Sequence, residues 1–144
     1  MNIKAYGKAS KVAINNFEKV IDFSLPKDYR EFLGSYNGGS FKDNIFFVNE
    51  LNEEIPLHVL YGLDVDKGLD LKTWYDEYEE DLIPGSIIIG HDYGSGILVL
   101  INDSEVQGVY YWDHSFNYPQ SNEEENTYKI ADSFDDFING LNNP

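Results

Sequence analysis

"LPKDYREFLGSYNGGSF", residues 25–41, decides how the chain is to be read. Pro26 suits the first position of a helix, where its missing N–H costs nothing. Asp28 and Glu31 lie near the positive end of that helix's dipole. Leu25 leads in, and Tyr29, Phe32, Leu33 and Tyr36 recur at i, i+3, i+4 and i+7, one apolar stripe. Asn37-Gly38-Gly39 stops the helix, because glycine accepts the left-handed backbone that a helix end favours. The stretch therefore predicts a short helix that buries large side chains and ends abruptly. It offers no nucleophile or general base. Its glycines follow a helix rather than precede one, so they do not form a phosphate loop.

Working outward, "INNFEKVIDF" (14–23) predicts a helix capped by Asn15 or Asn16, with Ile14, Phe17, Val20 and Ile21 on one face. "NIFFVNEL" (44–51) and "IPLHVLYGL" (55–63) have the β-branched and aromatic content of strands. "GLDLKTWYDEYEEDL" (68–82) returns to helix, with Leu71, Trp74, Tyr75, Tyr78 and Leu82 on one side. Asp76, Glu77, Glu79, Glu80 and Asp81 fall on the other. After a turn at Pro84-Gly85, "SIIIGHDYGSGILVLIN" (86–102) reads as two strands joined by "GHDYGSG", and "GVYYWDHS" (108–115) as another. Residues 117–127 read as a polar loop. "DSFDDFINGL" (132–141) reads as a closing helix in which Ser133 and Asp136 resemble a capping box. Helix, helix, two strands, helix, three strands, helix is an α+β order: an antiparallel or mixed sheet with helices packed on one side.

The 144 residues suit one domain spanning 1–144. Aromatic residues make up 15% of the chain, too many for a disordered one despite the charge. No apolar run approaches the roughly 18 residues of a membrane span. "MNIKAYGKASKVAINNF" lacks the apolar core of a secretory signal, so a cytoplasmic protein is expected. Cysteine is absent, which removes disulfides, thiol nucleophiles and thiolate metal sites. The net charge of −16 is lopsided: residues 1–42 carry seven Lys or Arg against four acids, while residues 73–128 carry twelve acids and no Lys or Arg. Such a chain repels nucleic acid and anionic membranes and attracts a basic partner.

Candidate chemistry is thin. His91-Asp92 and Asp113-His114 place a histidine beside a carboxylate, as a metal site or an oriented base would. Neighbours along a strand point to opposite faces, however, so each pair offers one inward group at most. His58 adds no third ligand that the sequence can place, and neither metal nor cofactor is expected. Ser95 in "YGSGI" lacks the strand–turn–helix setting of a nucleophile elbow. The carboxylates Glu79-Glu80-Asp81 and Glu123-Glu124-Glu125 read as solvated surface or as a docking surface for a cation-rich protein. Along "VYYWDH", Val109, Tyr111 and Asp113 share one face while Tyr110, Trp112 and His114 share the other. One face must be core, and the other presents ring types enriched at binding hot spots.

"FEKVIDFSLPKDYREFLGSYNGGSF" is similar to the opening of the SUKH superfamily, which includes bacterial immunity proteins of polymorphic toxin systems and fungal cell-wall-assembly regulators. Leu25, Pro26, Asp28, Tyr29, Phe32, Leu33, Asn37, Gly38 and Gly39 all fit its pattern. "IPGSIIIGHDYGSGILVLI", "VYYWDH" and "IADSFDDFINGL" resemble its central strand pair, the following strand and the closing helix. The resemblance implies a SUKH-like α+β domain, with a mostly antiparallel or mixed sheet of about five to six strands and helices packed around it. It also implies no catalytic activity. A cytoplasmic immunity protein that neutralises a basic, nuclease-type toxin is the expectation, with a regulatory adaptor as the alternative. An enzyme using His91 or His114 is a third reading. Asp76, Glu77, Glu80, Asp92, Tyr93, Tyr110, Trp112 and Asp113 are the expected partner-binding residues, and the 25–39 motif is assigned to folding.

Overall fold

A computed structural model describes residues 2–113 and 127–143. Along the chain it runs β1 (Ile3–Ala5), α1 (Lys11–Ile21), α2 (Lys27–Ser35), β2 (Gly39–Phe41), β3 (Ile45–Val48), β4 (Glu53–Leu60), α3 (Leu71–Tyr78), β5 (Ser86–Asp92), β6 (Gly96–Ile101), β7 (Gly108–Asp113), β8 (Thr127–Ala131) and α4 (Phe134–Asn139). The strands form one antiparallel sheet in the order β1-β2-β4-β5-β6-β7-β8, with β3 on β4. The α+β expectation holds, and the eight strands described exceed the five to six expected. The additions are β1, β2 and β8. The first two are three residues long, too short for a period to show, and β8 starts at the end of the stretch read as a polar loop.

The opening motif builds the helical layer. Pro26 lies one position earlier than expected, at φ −57° and ψ 146°, and its carbonyl accepts the first helical bond from Arg30 N. Leu25, Tyr29, Phe32 and Leu33 are buried. Both Tyr29 and Phe32 meet Phe134 of α4 at ring separations of 4.9 Å. Asp28 joins the starts of the two helices: its carboxylate accepts from Tyr29 N and from Asp135 N. Those N–H groups have no partner within their own helices. At the other end Asn37, Gly38 and Gly39 all have positive φ, at 53°, 85° and 140°. The Asn37 amide pairs with both backbone groups of Leu63, at 2.8 and 2.9 Å. A Cβ on Gly38 would stand 2.5 Å from the Tyr61 carbonyl oxygen, so only glycine lets α2 turn this closely over the end of β4.

α1 begins earlier than Asn15 or Asn16 would have it. Ser10 is the cap, its hydroxyl accepting from Ala13 N, and Asn15 instead accepts from Arg30. Ser133 caps α4 by accepting from Asp136 N, as its spacing implies. Pro56, inside β4, sits opposite Ile45. Both backbone groups of Ile45 bond Asn142 instead, so the missing proline donor is not needed there.

Cross-strand partners share a face of the sheet. Leu98, Leu100, Val109 and Tyr111 lie on the face under α2 and α4, where Phe46 bridges the rings of Tyr111 and Phe137. Ile97, Val99, Tyr110, Trp112 and His91 lie on the other face. Here the expectation of helices on one side is corrected. α3 packs on this second face, its Trp74 against His91 and its Tyr78 against Trp112. The physical reason is plain in β6, where every residue is buried. A strand apolar on both faces needs cover on both.

Candidate interaction surface

The second face of the sheet carries a row of rings. Tyr61, fully buried, stacks on Trp74 at 4.9 Å; Trp74 stacks on Tyr78 at 5.7 Å; Tyr78 meets Trp112 edge-on at 6.1 Å. Helical spacing aligns Trp74 and Tyr78, and the Trp74 indole N–H is satisfied by the Gly68 carbonyl. The row is half-buried along Trp74, Tyr78 and Trp112. Beside it, His91 Nδ1 and the Tyr61 hydroxyl are hydrogen-bonded. Burial lowers the His91 pKa first, then the neighbouring His58, while Asp92 pulls it the other way. A neutral imidazole accepting from the buried Tyr61 hydroxyl satisfies both groups. His58 in turn stacks on Tyr93 at 4.3 Å, which leaves Tyr93 65% exposed at the tip of the β5–β6 turn.

Carboxylates surround the row. Asp76 and Glu77 are exposed on α3, and Glu79, Glu80 and Asp81 are exposed in the 3-10 turn that continues it. Asp113 ends β7, half-buried, and alternation turns it to the first face with Val109 and Tyr111 rather than toward the row. No Lys or Arg occurs in residues 73–128. The ion pairs among the described residues, Arg30 with Glu18 and Lys129 with Asp132, do not involve the α3 carboxylates.

Two expected binding residues do not belong to this surface: Asp113, which shares the first face with Val109 and Tyr111, and Asp92. Asp92 is buried, and its carboxylate accepts from Gly94 N at 2.7 Å, Gly96 N at 3.0 Å and the Tyr111 hydroxyl at 2.7 Å. It holds the β5–β6 turn from inside. Gly96 must be glycine there, since a Cβ would collide with the Tyr111 ring and with Asp92 itself. The bond to Asp92 adds to burial in raising the Tyr111 pKa. The remaining candidates lie on or beside the second face. Tyr110 is half-buried with its hydroxyl on the Val106 carbonyl at 2.7 Å. Tyr93 is held apart from the α3 row by His58 and His91. Sequence reasoning put Trp74 and Tyr78 in the core stripe of α3 and gave Tyr61 to a strand. The missed signal was β6, whose unbroken apolar run demanded a second covered face.

Among the described residues, no group of three or more His, Cys, Asp or Glu could hold a metal ion, and no helix is long and apolar enough to cross a membrane. His114 lies outside the described residues, as do Glu123, Glu124 and Glu125. The model of the SMI1 / KNR4 family (SUKH-1) matches residues 8–140. The chain belongs to that family. No curated protein matches this SUKH-1 chain. Membership supports an immunity-protein or SMI1/KNR4-type role in general terms, in a family that is generally non-enzymatic and works through protein–protein interaction.

Proposed function

We propose that this SUKH-1 protein is a non-enzymatic, cytoplasmic immunity protein that binds and neutralises a basic, nuclease-type toxin. The observation that carries the reading is the second face of the sheet: a half-buried row of aromatic rings bordered by carboxylates, in a stretch of 56 residues (73–128) without one Lys or Arg. A nuclease must hold phosphates and so presents cations. A negative field steers such a partner quickly, and the rings supply contact area once it has docked. Asp76, Glu77, Glu80 and Trp112 are the contact residues we assign to this face, with Tyr93 and Tyr110 at its margins.

The test is a pull-down against the polypeptide encoded by the neighbouring gene, followed by growth rescue in cells expressing that polypeptide. Binding with rescue supports the reading. Capture of a cellular protein with no toxic neighbour would instead make the chain a regulatory adaptor. Electrostatic steering has its own check: association should slow as salt rises past about 0.15 M, where the Debye length is about 8 Å. A salt-independent rate removes the acidic field from the mechanism.

A further inference from the structure

At one end of the same face lies a groove of about 410 Å³ between the segment after α3 and strands β6 and β7. Most of its lining is apolar, including Leu82, Ile83, Val99, Val106, Tyr110 and Trp112. Two of these are exposed aliphatic side chains at its rim, Ile83 at 43% and Val106 at 40%. Covering an apolar floor and its partly open aliphatic rim would be favourable, since burying apolar surface is. The rim is also negative from two sides. Asp81 lines the groove, with Glu79 and Glu80 before it in the same 3-10 turn. Asp103 and Glu105 stand in the turn that carries Val106, where Asp103 accepts from Glu105 N. On the β8 side Lys129 is held by Asp132 at 3.0 Å.

We infer that this groove docks a polypeptide segment of a basic partner, seating a large apolar side chain between Ile83 and Val106 while flanking Lys or Arg residues meet the carboxylates of Asp81 and Glu105. The charge pattern selects that occupant. A neutral apolar ligand would use the floor and gain nothing from the two acidic rims. A segment with cations on both sides of an apolar anchor uses both. The anchor supplies affinity, and the flanking charges supply rate and orientation. The inference rests on the second face being the docking surface for a basic protein, and it names the chemistry of the segment that docks.

The experiment titrates the isotope-labelled full chain with a capped peptide, Lys-Lys-Gly-Leu-Phe-Gly-Lys-Lys, and follows backbone amide shifts. Saturable movement of Ile83, Val99, Val106 and Tyr110 is expected. Peptides with Gln for Lys, or with Ser-Ser for Leu-Phe, should bind about tenfold more weakly or worse. Ile83→Lys, at an exposed position, should melt with the wild type and lose the response. Shifts mapping elsewhere, equal binding by the uncharged peptide, or contacts from Ile83 to another part of the chain without any response to peptide would overturn the proposal. Growth rescue separates it from the immunity reading. A groove response without rescue removes the toxin and keeps the groove; rescue by Ile83→Lys as efficient as wild type keeps the toxin and removes the groove.

Discussion

The two faces of the sheet use the same residue types to opposite ends. Under α2 and α4, polar side chains bond to backbone: Asn37 to Leu63, Asp28 to Asp135, Asp92 to Gly94 and Gly96. Each satisfies donors that the turns and helix ends would otherwise leave bare. On the α3 face the carboxylates point outward, the rings stop half-buried, and aliphatic side chains stand open at Ile83 and Val106. The contrast teaches where each kind of substitution should act. Changes under the helical layer should cost folding, and changes on the α3 face should cost association.

The strongest blow to that division comes at Gly38. Gly38→Val demands a left-handed valine whose Cβ overlaps two backbone carbonyls, and it should lower stability by about 3 kcal/mol or more in a denaturant titration. An unchanged midpoint would mean that the α2 turn does not need its contact with β4. Asp92→Ala comes next. It strands two backbone donors and the Tyr111 hydroxyl, for an expected loss of about 2 to 3 kcal/mol read the same way. A loss of partner affinity at full stability would return Asp92 to the binding surface.

His91 sharpens the comparison through pH. Its imidazole is held below the ordinary value of about 6.5 by burial, with His58 adding to the effect. The folded protein thus binds fewer protons at this ring than the unfolded chain does. Its stability is present above about pH 6.5 and declines as the pH falls through that value toward the lowered folded pKa. Melting temperatures across this range should show the decline in the wild type and a flatter profile in His91→Gln. Parallel profiles would show that the ring does not titrate differently on folding.

The smallest effect on stability belongs to Glu77→Lys with Glu80→Lys. Both positions are exposed, so stability should stay within about 0.5 kcal/mol while association with a basic partner slows. A stability loss well beyond that would mean that these carboxylates hold α3 together.

Much of the fold was legible in local pattern. The stripe Tyr29, Phe32, Leu33 falls at helical spacing, and helix ends advertise themselves through Asn37-Gly38 and Ser133. The short strands β1 and β2 were not legible, because three residues carry no period. The candidate site was legible only in parts. Asp76, Glu77 and Glu80 stand out as one helix face, whereas nothing adjacent in sequence joins Tyr61 to Trp74 or Tyr78 to Trp112. Asp92 misled because a carboxylate in a glycine-rich turn looks exposed until Tyr111 is seen to reach it.

The sequence by itself determined the α+β order of elements and the one-signed charge field, since helical stripes, glycine stops and charge are local properties. Only the tertiary structure decided which carboxylates face solvent and which rings meet. A strand has two faces, and which of them α3 covers depends on contacts made far apart along the chain.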